Sequence, residues 1–250
     1  MKNQIIDFFQ KNGYAVIDNI VPQNELLWYS TIYEELLSGK INTGKNRSDL
    51  GENLGTSKRV ENITQIMWPS DFIEGIHQKP YHRSALQLAK SLLGSDLEMD
   101  FDMLINKAPH TDTITPWHQD AAYWVNMPDN RAVSCWMALD KATIENGCMW
   151  YVPKSHLGEI RSHQFAGKEG GALVCDGSEA EGIAVPLQAG SCVLHAGRTL
   201  HYSRGNSTDF HRRAWIINFR PKEMILLERS MGVDHARTGQ AAERKIRNIG

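Results

Sequence analysis

Downstream of Gly94 the hydrophobic pattern of this chain changes from helical spacing to strict alternation. Across residues 97–107, Leu97, Met99, Phe101, Met103 and Ile105 alternate with Glu98, Asp100, Asp102 and Asn106. A period of two marks a half-buried β-strand. Further short apolar runs at 132–139, 148–152, 183–186, 192–195 and 214–219 are separated by clusters of Gly, Asn, Asp and Pro. Many short strands with such turns fold as a sandwich or closed barrel rather than as a parallel α/β sheet.

Upstream of Gly94 the spacing is helical. Residues 5–9 and 25–37 carry apolar side chains at three- and four-residue intervals (Leu26, Tyr29, Tyr33, Leu36), and residues 81–93 form a third helix between Pro80 and Gly94. Residues 38–57, rich in Gly, Asn, Lys and Thr, read as a mobile loop of the kind that covers a binding site. The expected organisation is one domain over 1–250: a helical front (1–95), a strand core (about 96–222) and a C-terminal tail (223–250). At 41% hydrophobic and 22% charged residues the chain is an ordinary globular one, so disorder and coiled coil are excluded.

Charge and composition also narrow the partners. The balance is 27 − 29 = −2 without a Lys/Arg block, which argues against nucleic acid. The longest charge-free stretch, 182–197, is interrupted by Pro186, Gln188, Gly190 and His195 and does not span a bilayer. Asp7 interrupts what would be the apolar region of a signal peptide. Cys135, Cys148, Cys175 and Cys192 show no disulfide or zinc spacing and read as reduced core residues. A cytoplasmic protein, monomeric or homodimeric, acting on a small molecule is the expectation.

The strongest local signal is Thr-Pro-Trp-His-Gln-Asp at 115–120. In an extended chain residues i and i+2 point the same way, so His118 and Asp120 present an imidazole and a carboxylate to one point while Gln119 faces elsewhere. With a second histidine this is the facial triad of non-haem iron oxygenases; alone, His-x-Asp is equally a surface turn. Turn-rich residues 205–209 would form a hairpin bringing His201 opposite Arg212, a metal ligand and a guanidinium spaced for a short dicarboxylate. The competing reading makes Arg212 and Arg213 solvated strand charges, of which at most one points inward.

The run Met103 to His156, with Met-Leu-Ile-Asn-Lys-Ala-Pro, Trp-His-Gln-Asp, Trp136, Asn-Gly-Cys and Val-Pro-Lys-Ser-His, followed by His201 and Arg212, resembles the phytanoyl-CoA dioxygenase family of Fe(II)/2-oxoglutarate oxygenases. That resemblance, over about 97–220, implies a mainly β fold: a double-stranded β-helix, the cupin-like jelly-roll barrel, with supporting N-terminal α-helices. It implies Fe(II), 2-oxoglutarate and O2 as cofactor and co-substrates. It places His118, Asp120 and His201 on the iron ligands, Arg212 on the arginine for the distal carboxylate, and Ser203 on an assisting hydroxyl. Met103, Gln119 and Trp136 fall on positions lining the co-substrate pocket, and Arg59 on a further basic contact. The carboxylate ligand Asp120 favours hydroxylation over halogenation; desaturation, epoxidation and cyclisation would use the same centre. Two rivals stand beside it: a non-catalytic metal or 2-oxoglutarate sensor, and a zinc hydrolase built on the same three ligands.

The remaining candidates are expected to be structural. His195, His110, His156, His163 and His211 read as packed or hydrogen-bonded histidines, Asn146-Gly147 as a hairpin turn, and Tyr123, Trp124 and Trp150 as core rather than cavity wall.

Overall fold

The computed structural model describes residues 2–50, 61–167 and 172–238. Its helices are α1 (Lys2–Asn12), α2 (Gln23–Leu37), α3 (Pro80–Leu93) and α4 (Lys222–Ser230). The strands are β1 (Tyr14–Ile17), β2 (Arg47–Asp49), β3 (Ile63–Met67), β4 (Leu97–Lys107), β5 (Thr115–His118), β6 (Val133–Ala138), β7 (Met149–Tyr151), β8 (Gln164–Phe165), β9 (Leu173–Val174), β10 (Ile183–Val185), β11 (Cys192–Ala196), β12 (His201–Ser203) and β13 (Arg212–Pro221). Among the described residues they form a seven-stranded sheet in the order β1-β11-β6-β13-β4-β3-β2, a four-stranded sheet in the order β10-β7-β12-β5, and the small pair β8-β9. The fold is mainly β, as expected.

Alternation along β13 separates two cores. Trp215, Ile217 and Phe219 face the helices and pack with Tyr29, Tyr33, Leu36, Tyr81, Ala85 and Ala89 from α2 and α3. Ala214 and Ile216 face the other way and pack with Trp136 and Val193 of the large sheet and with Met149, Tyr151 and Val185 of the small one. The inner faces of the two sheets therefore meet, and a side chain on the inner face of either lies in a dry, low-dielectric interior.

Several sequence expectations need correction. Residues 38–50 are not simply a loop: Gly44–Asn46 form a 3-10 turn and β2 pairs with β3, held by the Arg47–Glu61 ion pair at 2.8 Å. Positions 51–57 lie outside the described residues. The stretch 223–250 is not all tail, because α4 occupies its start. Strand β4 is not half-exposed either. Asp100 and Asp102 are buried, the first beside Arg220 (2.7 Å) and Arg229, the second accepting from Ser70 Oγ (2.8 Å) and Trp215 Nε1 (3.1 Å). Paired charges can sit where a polar outer face was expected.

Two expected hairpins are crossovers between sheets. Asn146-Gly147 does turn, with Gly147 at φ +86° and Asn146 Oδ1 accepting from Thr143 N at 2.7 Å, but it links β6 of one sheet to β7 of the other. A Cβ at Gly147 would lie 2.5 Å from the Arg204 carbonyl, so this glycine is required by both conformation and space. Residues 205–209 likewise lead from β12 in the small sheet to β13 in the large one.

Candidate metal centre and anion pocket

Strand β5 carries His118 to its end, and the chain then turns so that Asp120 opens a 3-10 turn at Asp120–Ala122. Strand β12 lies antiparallel beside β5 with His201 opposite His118, and their ring centroids are 4.2 Å apart. One ligating atom from each of His118, Asp120 and His201 lies within 4.8 Å of the others. Both Nε2 atoms stand 3.7 Å from Asp120 Oδ1. Each Nδ1–H donates to a backbone carbonyl two residues back, His118 to Pro116 (2.7 Å) and His201 to Thr199 (2.8 Å). That bond leaves both Nε2 lone pairs aimed at the common point, the tautomer a metal needs. Burial holds the His201 imidazole well below the ordinary histidine range. Burial pushes the Asp120 carboxyl up, but His201, His195 and His118 together outweigh it and hold it ionised. Two imidazoles with one carboxylate are a donor set that suits a divalent cation.

The second oxygen of Asp120 has its own partners. Oδ2 accepts from Ser134 Oγ (3.1 Å) and from His195 Nε2 (3.3 Å). His195 Nδ1 in turn faces the Tyr151 hydroxyl at 3.1 Å, and Ser134 Oγ accepts from Asn218 Nδ2 at 3.0 Å. His195 is thus hydrogen-bonded, as expected, but to the carboxylate that faces His118 and His201. Its position beside Val193 on the inward face of β11 is the signal that alternation alone offered.

Arg212 and Arg213 divide as strand geometry requires. Arg213 turns outward to Asp140 (2.7 Å) and Glu34, whereas Arg212 is 1% exposed with its guanidinium 5.3 Å from the Trp136 ring centre. Among the described residues, Arg212 Nε and Nη1 are buried without a hydrogen-bond partner. Burial pushes this guanidinium down to about 10. Its cross-strand neighbour is Lys107, fully buried and not singled out by the sequence analysis. A buried lysine in a strand pattern looks like an edge charge until its partners are known.

The remaining predicted residues fall as follows. Ser203 is buried at the end of β12. Trp136 lies on the inner face of β6 beneath Arg212, and Met103 Sδ accepts from Gln65 Nε2 at 3.2 Å. Gln119 is 1% exposed and its amide bridges two loops, donating to Arg198 O (2.7 Å) and accepting from Arg161 N (2.8 Å). Arg59 lies outside the described residues. Tyr123 sets its ring edge-on to His118, 5.8 Å between centroids. His163 accepts from Gln119 N, and His110, His156 and His211 bond Asp209, Gln10 O and Asn106, matching their structural reading. The four cysteines are free and buried.

A cavity of about 260 Å³ begins at Ala121, the residue after Asp120, with Trp124, Met127, Ile160, Arg198 and Arg220 among its walls. Trp124, expected in the core, is buried yet lines this space. Its ring edge packs against Gly197, where a Cβ would come within 2.2 Å of Cζ3.

Residues 9–214 match the model of the phytanoyl-CoA dioxygenase (PhyH) family. The chain belongs to this family. Among PhyH relatives, a probable phytanoyl-CoA dioxygenase of Caenorhabditis elegans is 28% identical over 83% of this chain and 71% of its own length. The alignment to the mouse phytanoyl-CoA dioxygenase domain-containing protein 1 is 33% identical but spans 46% of this chain and 42% of that protein. Among solved structures, EvdO2 from Micromonospora carbonacea var. aurantiaca superposes with a TM-score of 0.75 at 26% identity, covering 88% of this chain and 90% of that one; a second EvdO2 structure holds 2-oxoglutarate. The epimerase SnoN from nogalamycin biosynthesis, solved with Fe3+, alpha ketoglutarate and nogalamycin RO, shares the fold at a TM-score of 0.71 and 22% identity, over 87% of this chain and 82% of its own. No helix among the described residues is long and apolar enough to cross a membrane.

Proposed function

We propose that this chain is an Fe(II)- and 2-oxoglutarate-dependent dioxygenase, one catalytic domain that hydroxylates an unactivated C–H bond of a small organic molecule and releases succinate and CO2. His118, Asp120 and His201 hold the iron. Arg212, assisted by the Ser203 hydroxyl, takes the far carboxylate of 2-oxoglutarate, with Trp136 and Met103 along its wall. The observation that carries this reading is the buried guanidinium of Arg212, two of whose nitrogens have no partner among the described residues. Such a group is costly unless an anion completes it. Two imidazoles and a carboxylate converging in the same fold supply the other half.

Iron with 2-oxoglutarate and O2, when bound, supplies the oxidising power for C–H cleavage. The chain's own residues orient and exclude. Pro116 O and Thr199 O fix both imidazoles, Ser134 and His195 fix the carboxylate, and the Gln119 amide fastens the loops carrying Arg161 and Arg198. The cavity beside Ala121 is where the substrate sits, between the apolar Trp124, Met127 and Ile160 and the charged Asp129, Glu159, Arg198 and Arg220.

Succinate release is the test. It is expected to require iron, 2-oxoglutarate and O2 together and to disappear in His118→Ala. Turnover that survives strict oxygen exclusion would mean a zinc-type hydrolase, and binding of 2-oxoglutarate without turnover across a substrate panel would mean a sensor. Product analysis then separates hydroxylation from desaturation, epoxidation or cyclisation.

A further inference from the structure

Lys107 ends β4 directly opposite Arg212 on β13, and residues opposite each other on neighbouring strands share a face. Both side chains are buried, at 0% and 1% exposure. Among the described residues neither forms an ion pair with a carboxylate. Two adjacent cations without a counter-charge are unfavourable in a dry interior. Burial, then the charge of Arg212, pushes the Lys107 ammonium well below the ordinary lysine range.

The Lys107 ammonium is not itself open to a ligand. It donates to the carbonyls of Thr113 (3.3 Å), Ser203 (3.3 Å) and Arg204. Three carbonyl acceptors favour the protonated amine against that depression, and the bonds fasten the end of β12, which carries His201 and Ser203. The open valences belong to Arg212, at Nε and Nη1.

We propose that Lys107 is a positioning residue that makes the co-substrate pocket selective for a doubly negative 2-oxo acid, acting through its fixed charge beside Arg212 and through its grip on Ser203. The inference rests on the 2-oxoglutarate reading above. A dicarboxylate brings a negative group to the Arg212–Lys107 pair; a 2-oxo acid with an apolar end leaves both cations uncompensated. Arg212 supplies the contact, and Lys107 raises the potential in which that contact is made.

The test is anaerobic calorimetry on the Fe(II)-loaded protein with two probes, 2-oxoglutarate and 2-oxopentanoate, which lacks the distal carboxylate. Lys107→Met is expected to weaken 2-oxoglutarate about ten- to hundredfold, the size of one nearby charge at intermediate dielectric, and to leave 2-oxopentanoate nearly unchanged. Lys107→Arg retains the preference for the dicarboxylate. Lys107→Gln keeps two N–H donors for the carbonyls without the charge, and carries the test where Lys107→Met does not fold. Equal weakening of both acids, or no weakening of 2-oxoglutarate in a folded variant, overturns the proposal. A wild type that binds neither acid overturns the functional reading and this inference with it, an outcome separate from a wild type that binds 2-oxoglutarate and variants that bind it equally well.

Discussion

Asp120 is held by both its oxygens, one turned to the imidazoles of His118 and His201 and the other to Ser134 and His195. Partners of this kind orient a metal ligand, and their loss typically lowers metal affinity ten- to hundredfold. His195→Leu is therefore expected to weaken Fe(II) binding by about that factor, read by anaerobic titration, with the fold intact by circular dichroism. An unchanged iron affinity would reduce His195 to packing. Gly197 makes a second residue-level claim, because its missing Cβ is the space occupied by the Trp124 ring. Gly197→Ala should destabilise by about 1–3 kcal/mol, the usual cost of overpacking, and displace Trp124, visible as altered tryptophan fluorescence.

At the scale of elements, α4 and residues 231–238 form a strap secured by a buried charge cluster. Glu228 of α4 pairs with Arg220, with Arg229 (2.9 Å) and with His235 (2.9 Å), while Asp100 of β4 pairs with Arg220 (2.7 Å) and Arg229. Trp68 Nε1 donates to the carbonyls of Asp234 (3.1 Å) and His235 (3.0 Å), and the His235 ring lies 4.2 Å from that of Phe101. Burial works against the charged imidazole of His235, but Asp100 and Glu228 outweigh it and raise its pKa. A raised histidine stabilises fully below its ordinary value, about 6.5, and loses that contribution as pH climbs through the raised one. The Asp100 and Glu228 carboxyls are held below their ordinary range, so their contribution is present above about pH 4 and is lost as pH falls through the depressed values. Exchange protection of residues 231–238 should be highest between these limits and decline on the alkaline side, and His235→Asn should remove that alkaline decline. A protection profile flat with pH in the wild type would sink the idea. Among the described residues, Glu228→Ala leaves Asp100 as the single carboxylate facing Arg220, Arg229 and His235 and should cost about 3–5 kcal/mol, measured by urea unfolding.

For the molecule as a whole, Trp215 is the joint between layers. It is fully buried, meets Tyr29 and His82 edge-on at 5.7 Å each, and donates to Asp102 Oδ2 at 3.1 Å. Trp215→Ala should cost about 3–5 kcal/mol and, at roughly 2–4 °C per kcal/mol for a chain of this size, lower the melting temperature by about 10 °C. A shift of only a degree or two would mean that helices and sheet are joined elsewhere.

How much of this was readable beforehand follows from the range of each interaction. The strand at 97–107, the three N-terminal helices and the convergence of His118 with Asp120 are local, set by side-chain spacing along a few residues, and the structure shows them. The burial of Asp100 and Asp102 was not readable, because their partners Arg220, Arg229, Ser70 and Trp215 come from distant segments. The hairpin expected between His201 and Arg212 failed for the same reason: turn residues specify that the chain bends, not which sheet receives the next strand. Periodicity determined the β class and the helical front, and the His118/Asp120 spacing offered one imidazole and one carboxylate to a common point; His201 was added by the family resemblance. Which histidine steadies Asp120, and that among the described residues no carboxylate pairs with Lys107 or Arg212, was decided by the tertiary structure. Strand order and burial set those neighbours and the dielectric between them, and no stretch of linear sequence contains either.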